Sequence, residues 1–303
     1  MSSDSWDAQS IADQSERTAI VTGATSGIGE ETARVLAAKN ARVILAVRNL
    51  EKGARVAGDV RRATRNQNVS AESLDLASLA SIKSFAESFA RSHSRLDLLI
   101  ANAGVMFPPY AKTVDGFELQ FGTNHLGHFA LAGRLLPLLA TTKGSRLVVV
   151  SSLAHKSGKL DFSDLNWDRR KYNTQQAYCD SKLANLLFAF ELARRMEFEG
   201  QSLRVTAAHP GWTSTELQRH VPVFRLLNPI FSQGVEMGAL PTLRAACDPQ
   251  AQSGDYFGPS GLFEMRGFPV KVPSNAASHN TEAAQRLWTV SEKLTGFAYG
   301  GAG

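Results

Sequence analysis

The chain has 303 residues, 43% hydrophobic and 20% charged, which suits one soluble α/β domain with a sizeable core. The net charge of +5 is spread thinly, and its densest basic run, Arg61 to Arg65, falls at a predicted helix end where cations suit the macrodipole; a nucleic-acid partner is not expected. Two cysteines, Cys179 and Cys247, make no disulfide framework, and no apolar run forms a signal peptide or reaches spanning length, so a cytoplasmic protein without a membrane span is expected.

Residues 1–17, rich in Ser, Asp and Gln, read as a disordered tail, and 18–303 as a single domain. A short strand, Thr18 to Val21, breaks at a glycine turn containing Gly23, Thr25, Ser26, Gly27, Ile28 and Gly29, and a helix runs from Glu30 to Ala38. Strand, glycine turn and helix in that order are what a dinucleotide fingerprint needs. The glycines let the backbone approach a pyrophosphate, and the helix N-terminus faces the phosphates. The spacing is Gly-x-x-x-Gly-x-Gly.

A second strand, Arg42 to Val47, ends at Arg48-Asn49. An acid there would bond a free ribose 2′-hydroxyl; Arg48 instead suits a 2′-phosphate, which favours NADP(H). The alternation continues through a helix (Leu50 to Ala63), a strand (Val69 to Leu74) and a helix (Ser78 to Arg91). Asp75, followed by Leu76, stands where the adenine is expected, and could equally cap the helix after it. A buried strand, Leu96 to Ile100, leads into the small turn Asn102-Ala103-Gly104, suited to close cofactor approach. A helix then passes through Asn124 to about Leu139, with Gly122 and Gly127 predicting a break near Asn124.

The strand Arg146 to Val150 delivers Ser151-Ser152 at its carboxyl end. From about Thr174 to Glu199 apolar residues recur at helical spacing, which sets Tyr178 and Lys182 four apart on one face. A fixed cation favours the phenolate, so this pair can give a proton to a carbonyl oxygen or take one from an alcohol. A strand from Leu203 to Ala207 leads into His209-Pro210-Gly211-Trp212-Thr213. The apolar, irregular stretch from Glu216 to Gln233 reads as a substrate lid near 213–233 or as a short core helix. A helix from Gly234 to Cys247, a last short strand within Gly254 to Phe263 and a terminal helix from Ala283 to Leu294 complete the pattern. The fold class is α/β: a doubly wound parallel sheet (Rossmann fold) with helices on both faces.

With these residues placed, the chain resembles the short-chain dehydrogenase/reductase family from Thr18 to about Phe263. The resemblance rests on the glycine turn, Asn102-Ala103-Gly104, Asn124, Ser152, Tyr178 with Lys182, and Pro210-Gly211, in that order. The phrases around Asn124, Ser152 and Tyr178 look like its retinol-dehydrogenase and WW-domain-oxidoreductase branch. Departures are Ala101 where a second asparagine is frequent, no membrane-anchoring N-terminal helix and no WW domain.

The resemblance implies hydride exchange between the nicotinamide of NADP(H) and a carbonyl or alcohol of a lipophilic small molecule, with secondary metabolism as a fitting context. Tyr178 would pass the proton and Lys182 would tune it and hold the ribose. Ser152 would polarise the carbonyl, Asn124 would hold a water leading to Lys182, and Thr213 and Thr215 would fix the carboxamide. The pocket wall would draw on Val105, Met106, Leu153, His155 and Trp212. Rival readings are a cofactor-retaining epimerase or dehydratase, and a non-catalytic NADP(H)-sensing or scaffold protein. His125, His128 and His209 show no ligand spacing, so no metal is expected. The helices after Asn124 and around Tyr178 could form a four-helix homodimer interface or be ordinary core.

Overall fold

Strands of a parallel sheet are buried on both faces, so they read as continuous apolar runs rather than alternating ones. The computed structural model describes residues 5–213 and 233–300. In it the strands are β1 (Thr18–Thr22), β2 (Arg42–Val47), β3 (Val69–Ser73), β4 (Leu98–Ala101), β5 (Arg146–Val150), β6 (Arg204–Ala208) and β7 (Tyr256–Pro259), apolar except at the edge strand β3. With β8 (Pro269–Lys271) they make one sheet in the order β3-β2-β1-β4-β5-β6-β7-β8. All pairings are parallel except β7 with β8. Strand order reverses beside β1, with β2 on one side and β4 on the other. That leaves a crevice beyond the carboxyl ends of β1 and β4, where a doubly wound sheet binds ligands.

The helices are α1 (Gly27–Ala38), α2 (Leu50–Thr64), α3 (Leu79–Ser92), α4 (Leu119–Phe121), α5 (Gly127–Thr141), α6 (Thr174–Phe198), α7 (Val235–Cys247) and α8 (Thr281–Thr295). Two main cores result. One joins Phe85 of α3, Phe129 of α5 and Phe188 of α6; the other joins Leu36 of α1, Val56 of α2 and Leu243 of α7. Between α4 and α5, where glycines predict a break, residues Gly122–Leu126 form a turn of π-helix. A π turn widens the ladder and re-aims side chains, and such turns favour functional sites.

Some features differ from what the sequence suggests. Within residues 1–17 the described part is no free tail: Asp7 caps a turn at Ala8–Ser10, Ile11 is 3% exposed, and the backbone N–H of Gln14 donates to Lys39 O at 2.7 Å. One buried isoleucine in a polar stretch suffices to dock it. The edge strand β8 was not expected, since three residues carry no period. Asp75 does not cap α3; Ser78 does, accepting from the Ser81 N–H, while Asp75 closes a local turn onto Ala77 N. The apolar faces of α5 and α6 pack partly under α8 and the C-terminal segment. Trp288 of α8 packs on Phe129 at 5.3 Å between ring centres, and the Tyr299 hydroxyl donates to Phe129 O at 2.7 Å. Of the lid stretch, 214–232 lies outside the described residues.

Candidate active site

The crevice at the reversal point holds a cavity of about 480 Å³. It is lined by Gly23, Thr25, Ser26, Gly27, Ile28, Gly29, Arg48, Asn49, Asp75, Leu76, Asn102, Ala103, Gly104, Tyr178, Lys182 and Pro210, all expected from the sequence. Its floor depends on missing side chains. Gly23 is left-handed at φ 67, and a Cβ there would lie 2.8 Å from Ala103; one on Gly29 would strike the Asn102 amide and lie 2.6 Å from Gly23 O. The Asn102 amide is fixed by donating to Thr22 O at 2.9 Å. A backbone cradle at the start of α1 fits a pyrophosphate.

At the β2 corner Arg48 is joined by Lys52, which sequence reasoning missed. Its signal was available: one turn along from Arg48, at the start of α2, it faces the same corner. Asn49 turns out to serve the helix, accepting from the Lys52 N–H at 2.8 Å as its N-cap. Thr123 lines the cavity too, and its buried hydroxyl has no partner among the described residues.

The chemical end is built by α6 packing beside β5. Lys182 Nζ donates to Val150 O at 3.2 Å, and Ser151 Oγ to Lys182 O at 2.8 Å. Lys182 Nζ stands 5.6 Å from the Tyr178 ring centre. Ser152 is held by its own turn, Leu153–Ser157, which it caps by accepting from Ala154 N at 3.2 Å. Phe107 sets its ring edge-on to Tyr178 at 5.2 Å.

The electrostatics differ from the simple pairing expected. Burial pushes the Tyr178 phenol up to about 12, with the Ser152 side chain pulling the other way, and burial brings Lys182 down to about 8. Desolvation disfavours either charge, so here it outweighs their mutual attraction. Lys182 is thereby poised to exchange a proton close to neutrality.

Asn124 does not line the cavity. Its amide is saturated: Oδ1 accepts from Val105 N at 2.8 Å, and Nδ2 donates to Val105 O and Ser181 Oγ, both at 3.0 Å. Its backbone carbonyl lies 2.9 Å from His128 Nδ1, and His128 Nε2 lies 2.9 Å from Thr22 Oγ1. So Asn124 joins the Gly104-Val105 turn, α6 and the end of β1. Of the expected substrate wall only Val105 reaches this cavity. His155 is fully buried beneath Ser152, its Nδ1 2.7 Å from Ser152 O. Gly211 is left-handed at φ 65, and Thr213 Oγ1 donates to Pro210 O at 2.7 Å, bracing the turn that Pro210 presents. Thr215 lies outside the described residues. Among the described residues no cluster of His, Cys, Asp or Glu could hold a metal ion, and no helix is long and apolar enough to cross a membrane.

The family model for short chain dehydrogenases matches residues 17–223. Human "Retinol dehydrogenase 13" is 46% identical over 291 residues, covering 92% of this chain and 85% of that protein. An uncharacterized protein from Mycobacterium Paratuberculosis superposes with a TM-score of 0.83 at 41% identity, covering 97% of this chain and 99% of the other. A short chain dehydrogenase from Shigella flexneri 2a str. 301, complexed with NADP, gives a TM-score of 0.63 at 26% identity, over 80% and 96% of the two chains.

Proposed function

The chain belongs to the short-chain dehydrogenase family, an oxidoreductase acting on an alcohol or carbonyl group with a nicotinamide cofactor, and we propose that it uses NADP(H) on a lipophilic small molecule. The observation that carries this reading is an elongated cavity at the strand-order reversal with Arg48 and Lys52 at one end and Tyr178 with Lys182 at the other. Bound there, the nicotinamide would supply or accept the hydride.

The protein's share is orientation and the proton. Ser152 Oγ donates to the substrate oxygen and stabilises charge as it develops. Tyr178 gives that oxygen its proton in reduction and takes it in oxidation; a phenol held near 12 keeps its proton until an oxyanion forms beside it. Lys182 resupplies the proton and holds the nicotinamide ribose. Arg48 and Lys52 pair with the 2′-phosphate. Lipophilic alcohols of the retinol kind are the first class to test, given the relative's name; secondary metabolites are the second.

The test is consumption of NADPH or NADH, read by absorbance, with all-trans-retinal and other apolar carbonyl compounds. Stoichiometric NADPH loss with alcohol formed is expected, whereas an epimerase or dehydratase would consume none. Tyr178→Phe should cut kcat by about 10²–10⁴-fold at unchanged NADPH affinity. Near-normal turnover in that variant would sink the mechanism.

A further inference from the structure

The loop between β7 and β8 carries two consecutive non-glycine residues in the left-handed region, Phe263 at φ 54 and Glu264 at φ 58. Such backbone persists only where its surroundings over-determine it, and it clusters at functional sites. Phe263 gains nothing from the arrangement, for it is 71% exposed. What holds the loop is Glu264. Its carboxylate accepts from Lys156 Nζ at 2.9 Å and from His209 Nε2 at 3.0 Å.

The histidine is committed to one tautomer. Its Nδ1 accepts the Gly211 N–H at 3.2 Å, so the proton sits on Nε2 and points at the acid. Gly258 of β7 lies against the imidazole so closely that a Cβ would collide with it. Three more bonds bind the same loop to the same turn: Trp212 N donates to Met265 O at 2.8 Å, and Gln233 links Pro210 O (2.9 Å) with Gly267 N (3.1 Å). Lys156, the acid's other partner, belongs to the short turn that Ser152 caps.

We propose that Glu264 is a positioning residue: through His209 and Lys156 it fixes the Pro210-Gly211 turn, at the nicotinamide end of the cavity, relative to the turn that carries Ser152. The inference rests on the oxidoreductase reading above. Hydride transfer needs carbonyl carbon and nicotinamide in near-attack contact, and these two turns set that separation from opposite sides. The left-handed backbone is what brings the carboxylate between them.

A merely structural acid would affect every ligand alike, and a nicotinamide-end clamp would not. The experiment titrates wild type, Glu264→Ala, Glu264→Gln and Glu264→Gly with NADPH and with adenosine 2′,5′-bisphosphate, which lacks the nicotinamide half. Glu264→Ala should lose about tenfold in NADPH affinity while holding the bisphosphate as wild type does. Glu264→Gln, which keeps one oxygen to accept from His209, should fall between them. Glu264→Gly relieves the left-handed strain, so it should melt no lower than wild type yet lose NADPH selectively. The variants' kcat on any carbonyl turned over should fall more than KM rises.

NADPH affinity unchanged in both Ala and Gly variants, or an equal loss of both ligands, overturns the clamp. Wild type that binds neither ligand overturns the cofactor reading instead.

Discussion

Tyr178 and Lys182 were recognisable four residues apart because helical spacing alone puts them on one face. Their electrostatics were not, because the sequence does not show how deeply a face is buried. Arg48 was placed at the cavity corner by its position after β2, and Lys52, four residues along, shares that corner. Arg48→Ala should weaken NADP(H) selectively and leave NAD(H) nearly untouched. A charge-assisted pair is worth about 1.5–3 kcal/mol, or roughly ten- to a hundredfold in affinity. Because Lys52 shares the corner, some preference should survive, and Arg48→Ala/Lys52→Ala should abolish it. Titrating both cofactors against the three proteins measures this; an equal loss for both would mean Arg48 supports the loop.

At the scale of elements, the glycine turn and α1 act as a unit. Gly29 lies in the first turn of α1, against the Asn102 amide and Gly23 O. Gly29→Ala should therefore displace Asn102, cost about 1–3 kcal/mol by overpacking, and weaken NADPH binding together with stability. Denaturant unfolding and cofactor titration on one preparation test the coupling; full affinity would show that the cradle tolerates the methyl. The break near Asn124 was expected from two glycines; its form, a π turn with the Asn124 carbonyl 2.9 Å from His128 Nδ1, was not. Strand β8 escaped notice because its pairing partner, β7, supplies what its own three residues lack.

For the whole molecule, the burial that builds the site also sets an acid limit. Four histidines, His125, His128, His155 and His209, are at most 2% exposed. Burial lowers His125 to about 3, His128 and His155 to about 4, and His209 in the same direction, from an ordinary 6.5. The unfolded chain takes up these protons below pH 6.5 and the folded chain does not. Stability should thus be full above pH 6.5 and fall as the pH drops towards 4, by about 1.4 kcal/mol per pH unit for each histidine. Urea unfolding from pH 7.5 down to 5 reads it directly; a flat profile would show these histidines protonated in the fold. His125 also touches α8, its Nε2 2.8 Å from Ser291 Oγ.

The sequence by itself determined the alternation of strands and helices, the glycine cradle, and the order in which Ser152, Tyr178 and Lys182 reach one sheet edge. Each of those follows from local rules: period, backbone freedom at glycine, and chain order in a parallel sheet. Which partner each polar group takes emerged with the folded chain. The tertiary structure gave Asn124 to Val105 and Ser181, His155 to the floor beneath Ser152, and Glu264 to His209 across 55 residues of chain. It also turned the apolar faces of α5 and α6 inward under α8 and Tyr299. The physical reason is the same throughout. Hydrogen bonds and burial penalties depend on distances between residues far apart in the chain, and no local pattern encodes those distances.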